Sequence, residues 1–209
     1  MQAHSKTSDA ERARYRPQLI EGFCSAVEEA GYAATTIADI VRQARVSKRT
    51  FYEQFADKEE CFMAAYAAQA EQLMQGMAAA VDPGAAWEDQ VDAAISAYLT
   101  LLDERPALTR AFFLSIHVAG PRALALRREV MERFAELTRA LVELGRPRRP
   151  EVRSLSPTMA MAIVGAINEL VLLKAEQGTA TRLIDLTETA VELVSAVLAA
   201  KPVKRRRAR

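Results

Sequence analysis

The sequence is poor in the residues from which metal sites and disulfide frameworks are built. Its 209 residues include two cysteines, Cys24 and Cys61, and two histidines, His4 and His117. Two thiols cannot form a disulfide framework or a zinc cluster, and the histidines show no metal-ligand spacing. We therefore expect no metal or other cofactor, and free thiols of the kind that cytoplasmic proteins carry.

Helix-breaking residues and long uncharged segments are also scarce. The glycines and prolines, eight of each, lie at the joints between periodic apolar segments and predict helix boundaries. The longest stretch without a charge covers residues 154–168, which is 15 residues, and a helix needs roughly 20 to span a bilayer. The first residues, MQAHSKTSDAER, lack the apolar core of a secretory signal. We expect an all-α protein in the cytoplasm with no membrane partner.

Charge is balanced over the whole chain but not along it. Lys and Arg number 28 against 27 Asp and Glu, for a net charge of +1. Six of the positive charges lie in residues 201–209, so residues 1–200 carry 22 positive and 27 negative charges, a net of −5. Any nucleic-acid binding must therefore use a small local basic face. Residues 201–209 are predicted to be a disordered basic tail, which either attracts DNA in a salt-sensitive way or only solubilises the chain.

Apolar residues at helical spacing predict helices along the chain. Ser8 and Glu11 form a capping-box pair that predicts the start of a first helix, which Gly31 ends. Asp57 and Glu60 form a second such pair, at the start of a long helix that reaches about residue 80. Further helices are predicted to begin near Trp87, Pro106, Pro121, Pro157 and Leu183.

Between the first and the long helix lie two short helices joined by a tight turn, with Thr36 and Ser47 as predicted N-caps. This arrangement is typical of a helix-turn-helix, whose second short helix enters the major groove of DNA. Lys48, Arg49 and Thr50 occupy the first turn of that helix, where side chains can reach base edges.

Residues 31–62, GYAATTIADIVRQARVSKRTFYEQFADKEECF, resemble the TetR family of bacterial transcriptional regulators. The combination of TTI, VS before the second short helix, TFY and DKEE carries the resemblance, which extends back through the first helix. It implies a three-helix DNA-binding head (residues 8–56) on a larger helical body (residues 57–200). It also implies a homodimer that binds double-stranded operator DNA, and usually repression relieved by a small-molecule effector. The DNA-contacting residues that it implies are Thr35, Thr36, Lys48, Arg49, Thr50, Tyr52 and Lys58.

The head departs from the family pattern at two positions. Arg45 stands in the turn where the family usually has glycine, and Gln54 stands where it often has histidine. If the turn needs a positive φ, Arg45 bears roughly 1 kcal/mol of strain. Arg45 can gain a phosphate contact in return, so we include it among the predicted DNA contacts.

The body carries no transferable motif, and its predicted ligand site rests on apolar and polar residues of the helices from Trp87 to Leu173. A mostly apolar pocket with few polar anchors would suit a hydrophobic or aromatic effector. The alternative for the aromatic residues and Met159 is ordinary core packing, for His117 a hydrogen-bonded core position, and for Asn168 contact with a dimer partner. The candidate lining residues are Trp87, Tyr98, Phe112, Phe113, His117, Met159 and Asn168.

The two C-terminal helices are predicted to form the dimer interface. The helix from Pro157 is apolar nearly all round, and its small residues Ala160, Ala162, Gly165 and Ala166 allow another helix to approach closely. Dimerisation would set two heads about 34 Å apart, the spacing of successive major-groove faces.

A ligand-responsive transcriptional regulator is thus the leading hypothesis. The alternative is a regulator-like DNA-binding protein controlled by protein–protein contact without a small-molecule inducer. No nucleophile elbow, phosphate loop or paired-carboxylate motif in the sequence favours an enzyme. Cys24 and Cys61 permit a redox sensor, but both also suit positions for small apolar side chains.

Overall fold

A computed structural model of the chain describes residues 3–149, 152–178 and 182–199, and gives the backbone alone for residues 3–14 and 148. Within these ranges the secondary structure is helical and contains no strand, which confirms the predicted all-α class. The predicted basic tail, residues 201–209, lies outside the described residues. The helices are α1 (Ala3–Ala34), α2 (Ile37–Ala44), α3 (Lys48–Gln54), α4 (Lys58–Ala80), α5 (Trp87–Asp103), α6 (Pro106–Ser115), α7 (Pro121–Gly145), α8 (Pro157–Glu176) and α9 (Thr187–Ala199).

Two predicted boundaries change in α1 and α9. Helix α1 begins at Ala3, so Ser8 lies inside it and the predicted N-cap at Ser8 is wrong. Gly31, at φ 77° and ψ 158°, interrupts α1 as predicted. Leu183 begins a 3-10 turn rather than α9, and the Asp103 carboxylate accepts hydrogen bonds from the Leu183 and Ile184 amides at 2.8 and 3.0 Å. The end of α5 therefore anchors the entry to α9.

The apolar core of the head continues into the body. Phe23 of α1 and Phe51 of α3 are fully buried in one cluster with Phe62 of α4 and Leu108 of α6. A second cluster joins α5, α7, α8 and α9. Because aromatic packing crosses residue 57, movement of α4 or α6 relative to the head requires repacking of that core. The domain boundary at residues 56 and 57 stays a prediction.

Helix α8 leaves most of its apolar surface uncovered within the protomer. It is 20 residues long with a mean hydropathy of 1.5 over its most apolar window, which is enough to cross a membrane by length and composition. Only 22% of that window is buried in the described protomer. The apolar window is longer than the charge-free stretch of residues 154–168, because α8 begins at Pro157 and continues past residue 168 to Glu176. One such helix is equally typical of a core or interface helix, and the absence of a membrane partner stays a prediction.

Candidate nucleic-acid interface and internal cavity

Helix α2 crosses α1 at a glycine. A Cβ atom on Gly22 would lie 2.6 Å from Ala44 Cβ and 2.9 Å from Ile40 O, so only glycine permits this approach. Gln18 Nε2 donates to Ala44 O at 2.6 Å and satisfies a carbonyl at the end of α2. Helix α1 thus fixes the position and the end of α2.

The N-termini of α2 and α3 are capped as predicted. The Thr36 side chain accepts a hydrogen bond from the Asp39 amide, and the Asp39 carboxylate accepts from Thr36 N at 3.0 Å and from Thr36 Oγ1 at 2.6 Å. These hydrogen bonds lower the pKa of Asp39, with the Thr36 hydroxyl as the largest cause. The carboxylate places negative charge at the start of α2, which opposes a phosphate there. Ser47 Oγ accepts from Thr50 N at 3.0 Å and leaves α3 without such a charge.

The turn between α2 and α3 requires the left-handed conformation. Arg45 has φ 52° and ψ 42°, which is the positive φ expected where the family usually has glycine. Val46 N donates to Val41 O at 3.1 Å and closes the turn. The Arg45 side chain is exposed beside α3.

Helix α3 presents an exposed polar face and buries an aromatic one. Phe51 and Phe55 are buried, whereas Lys48, Arg49 and Tyr52 are exposed. Arg49 Nε pairs with Glu53 Oε1 at 3.0 Å, and because the arginine side chain is 89% exposed this pair is easily exchanged for another acceptor. The exposed face can therefore enter a DNA groove as a rigid unit.

Helix α1 holds the end of α3. Arg16 Nη1 donates to Gln54 O at 3.0 Å, and its guanidinium lies 4.4 Å from the centre of the Phe55 ring. The turn and both short helices are thus fixed from α1, which gives the exposed face a defined orientation.

One predicted DNA contact, Thr35, requires correction, and a second, Lys58, is half-buried and bonded within the head. Thr35 is 1% exposed and its hydroxyl donates to the Gly31 and Ala26 carbonyls at 2.8 and 3.2 Å, so its side chain is out of reach of DNA. Lys58 Nζ donates to Tyr32 O at 3.0 Å and to Thr35 O at 2.8 Å, and lies over the Tyr32 ring. Both residues position the head on α4. The remaining residues stay predicted contacts: Thr36, Arg45, Lys48, Arg49, Thr50, Tyr52 and Lys58.

The acidic residues of α1 whose side chains are described, Glu21, Glu28 and Glu29, are paired with arginines. Arg42 lies 3.5 Å from Glu29 and 3.2 Å from Asp39. Arg105, in the loop before α6, donates to Glu28 at 2.7 and 2.8 Å and to Glu21 at 3.1 and 3.2 Å. These pairs neutralise negative charge on the head, and the second connects the head to the body.

The body encloses a cavity between α4, α5, α6, α7 and α8. The cavity has a volume of about 120 Å³, which accommodates on the order of ten water molecules. Trp87, Tyr98, Phe112, Phe113 and Asn168 line it, as predicted candidates. Polar, aromatic and apolar side chains of α4, α5, α6 and α7 also line it, among them Tyr66, Gln69, Gln90, Thr109, Met131, Phe134, Thr138 and Val142.

Two predicted lining residues lie elsewhere. His117 is exposed after the end of α6 and borders, with Arg127, a small hollow that adjoins the cavity. Met159 is half-buried against the core of α5, α7, α8 and α9. Asn168 Nδ2 lies 3.4 Å from Met131 Sδ, so Asn168 is directed at α7. Apolar periodicity did not show that α4 also lines the cavity or that α6 ends before His117.

Sequence reasoning missed Gln69 and Gln90. Gln90 is 5% exposed and lies within the apolar stripe that begins at Trp87. A polar residue inside an apolar stripe is a signal that it is buried, and buried polar groups need partners. This signal was present in the sequence.

The cavity is uncharged over its described lining residues. Burial raises the pKa of Tyr98 and of Tyr66, with desolvation as the main cause, so both phenols stay protonated at physiological pH. The edge of the Phe134 ring meets Tyr98 with 5.8 Å between ring centres. The site is therefore apolar with a few neutral polar groups, which suits recognition of a small molecule.

The cysteines lie in the buried core of the head. Burial raises the pKa of Cys24 and of Cys61 to about 12. Thiols that remain protonated are poor nucleophiles. Within the described ranges, no group of three or more His, Cys, Asp or Glu residues is arranged to hold a metal ion.

Comparison with known proteins supports the resemblance carried by the head. Residues 24–65 match the model of the bacterial regulatory proteins of the TetR family. No curated protein matches the chain.

Solved structures of similar fold extend the comparison to the body. FadR from Bacillus subtilis, a transcriptional regulator solved with stearoyl-CoA, has a TM-score of 0.72 at 18% identity, covering 88% of this chain and 98% of its own. The fatty acid degradation regulator FadR from Bacillus halodurans has a TM-score of 0.72 at 17% identity, covering 85% and 96%. A bacterial regulatory protein of the tetR family from Rhodococcus RHA1 has a TM-score of 0.65 at 17% identity, covering 90% and 98%. The predicted family resemblance and fold are confirmed.

Proposed function

We propose that this chain, which carries a TetR-family head and the fold of TetR-family transcriptional regulators, is a ligand-responsive repressor that binds operator DNA as a homodimer. A small molecule that enters the body cavity releases it from DNA. The proposed function is binding rather than catalysis, and it is exercised in the cytoplasm. The observation that carries the proposal is an exposed polar α3 held rigidly by α1, on a body whose cavity walls connect to the head.

DNA recognition is assigned to the first turn of α3. Lys48 and Arg49 are exposed there, and an arginine can pair with guanine while threonine contacts a thymine methyl. Arg45 and Tyr52 flank this turn and would contact phosphates, which position the head without reading sequence. Because the described glutamates of α1 are paired with arginines, the exposed basic residues of α3 form the face of the head that attracts DNA.

Two connections support coupling between the cavity and the head. Helix α4 lines the cavity with Tyr66 and Gln69, and its first residue, Lys58, is bonded to the head carbonyls. Helix α6 lines the cavity with Phe112, and it begins beside Arg105, which is bonded to α1. A ligand that favours another position of either helix changes the separation of the two heads in a dimer.

Dimerisation is assigned to α8 and α9. The uncovered apolar surface of α8 and the 49% exposure of Leu173 support this interface. Leu173→Glu should convert the dimer to a monomer in sedimentation velocity. Leu144→Glu is the matched control, because Leu144 is 53% exposed but lies on α7. A dimer that survives Leu173→Glu would contradict the assignment.

The DNA-binding test uses the intergenic DNA beside the protein's own gene in a shift assay at low salt. Replacing Lys48, Arg49 and Thr50 together with Ala should lower specific affinity by at least about 100-fold and leave the dimer intact. Arg122→Ala with Arg128→Ala removes equal charge from α7 and should leave affinity within a few-fold.

Absence of binding by the folded, dimeric wild-type protein would overturn the proposed function. Binding that no small molecule relieves would favour the alternative, control by protein–protein contact.

A further inference from the structure

The cavity contains two amide oxygens that lack partners among the described residues. They are Gln90 Oε1 and Gln69 Oε1, and both atoms are buried. Gln90 Nε2 donates to Ala85 O at 3.0 Å, which identifies the other end of this amide as the oxygen. A buried acceptor without a donor is costly, so these oxygens are expected to be paired in the ligand-bound protein.

None of the other described polar groups of the cavity donates to Gln90 Oε1, including the Tyr66 and Tyr98 hydroxyls, the Trp87 indole and the Asn168 amide. Thr109 Oγ1 donates to Leu102 O at 2.8 Å, and Thr138 Oγ1 donates to Phe134 O at 2.9 Å. Each hydroxyl has only one hydrogen to donate, so both are already committed. The donor for Gln90 must therefore come from a molecule inside the cavity.

The charge of that molecule follows from the lining. None of the described lining residues is acidic or basic, so a carboxylate or ammonium would lie without a counter-charge in an apolar site. A hollow that contains Arg127 adjoins the cavity and shares Tyr66, Phe113 and Asn168 with it, but its volume of about 10 Å³ is enough for about one water. An anionic group has no prepared place in the cavity itself.

We propose that the effector is a neutral, largely apolar molecule that donates an O–H or N–H hydrogen bond to Gln90 Oε1. Gln69 Oε1 offers a second acceptor on the α4 wall. This inference rests on the proposed function, since it takes the cavity as the effector site. Ligands of equal size that carry only acceptors, and ligands that carry a charge, are rejected.

Trp87 makes the test direct, because it is the only tryptophan of the chain and it lines the cavity. The full-length protein is titrated with 1-decanol, with its isomer methyl nonyl ether, and with decanoate at pH 8, and Trp87 fluorescence is recorded. We expect 1-decanol to bind at least about tenfold more tightly than the ether, because only the alcohol can donate to Gln90. Decanoate should bind more weakly than 1-decanol.

Variants locate the source of the discrimination. Gln90→Leu should remove most of the preference for the alcohol over the ether, with binding of the ether retained. Gln69→Leu gives a second, smaller loss, and it keeps the test available if Gln90→Leu fails to fold. Arg127→Gln is the control and should leave all three affinities unchanged.

Three results would overturn the inference: equal affinity of the wild type for alcohol and ether, tightest binding of decanoate with dependence on Arg127, or no binding of any probe. Each leaves the proposed function standing if some other compound releases the protein from DNA. Conversely, failure of the folded dimer to bind DNA overturns the proposed function even if Trp87 reports the expected preference.

Discussion

Arg105→Met removes the ion pairs that connect the loop before α6 to α1. The Glu28 pair has two short hydrogen bonds, and its side chains are 33% and 30% exposed. Charge-assisted hydrogen bonds contribute about 1.5–3 kcal/mol, and partial solvent screening lowers this pair to about 1–2 kcal/mol. Glu21 is 64% exposed, so its pair adds below about 0.5 kcal/mol. The free energy of unfolding should fall by about 2 kcal/mol.

Urea denaturation at a fixed protein concentration measures this loss, because the stability of a dimer depends on concentration. A double-mutant cycle with Glu28→Gln should give a coupling of about 1–2 kcal/mol, and a cycle with Glu21→Gln below about 0.5 kcal/mol. Arg133→Met is the control, since Arg133 pairs with Glu71 between α7 and α4 but both are 44% exposed. Equal coupling to both glutamates, or a loss no larger than in the control, would refute the reasoning.

Three further predictions concern the head. Gly22→Ala should lower the free energy of unfolding by about 1–3 kcal/mol in urea, because the added Cβ meets backbone atoms of α2 that cannot move aside. Arg45→Gly relieves about 1 kcal/mol of left-handed strain but adds freedom to the unfolded chain, so the net change should stay below about 0.5 kcal/mol. The same variant removes two phosphate contacts from the proposed dimer, so the slope of log affinity for DNA against log salt should become shallower by about 1.8. Burial raises the pKa of Cys24 and of Cys61 from 9.0 to about 12, so both thiols should react with dithionitrobenzoate at pH 8 only when the protein unfolds. The free energy of unfolding should fall between pH 9 and pH 12, because in that range the thiols ionise in the unfolded chain but not in the folded one.

The head is the part of the molecule that short-range sequence patterns describe well. Thr36 and Ser47 act as caps on neighbouring amides three residues away, so their roles depend on local geometry alone. The positive φ of Arg45 likewise follows from the tight turn between two helices. Such features need no knowledge of where distant helices lie.

The corrections depend on contacts and helix ends that neither the family pattern nor the apolar spacing gives. Thr35 and Lys58 match the family pattern for DNA contact, yet the Thr35 hydroxyl is bonded to two carbonyls of α1, and Lys58 is bonded to the carbonyls of Tyr32 and Thr35. His117 follows an apolar helix, but α6 ends at Ser115 and leaves it exposed. A sequence pattern gives the face of a helix, whereas the partner of that face is set by tertiary packing.

Gln90 shows how the two kinds of information combine. Its position between Trp87 and Val91 is readable in the sequence as a polar break in an apolar stripe. This polar residue destabilises the folded core when no ligand is bound, because Gln90 Oε1 has no hydrogen-bond partner among the described residues. Replacement by leucine should therefore stabilise the ligand-free protein while it weakens binding of a hydrogen-bond donor. Gln90 therefore lowers stability when the cavity is empty and strengthens binding when the cavity is occupied. A ligand-responsive body requires such a residue, because a ligand shifts the balance between two states only when its affinities for them differ.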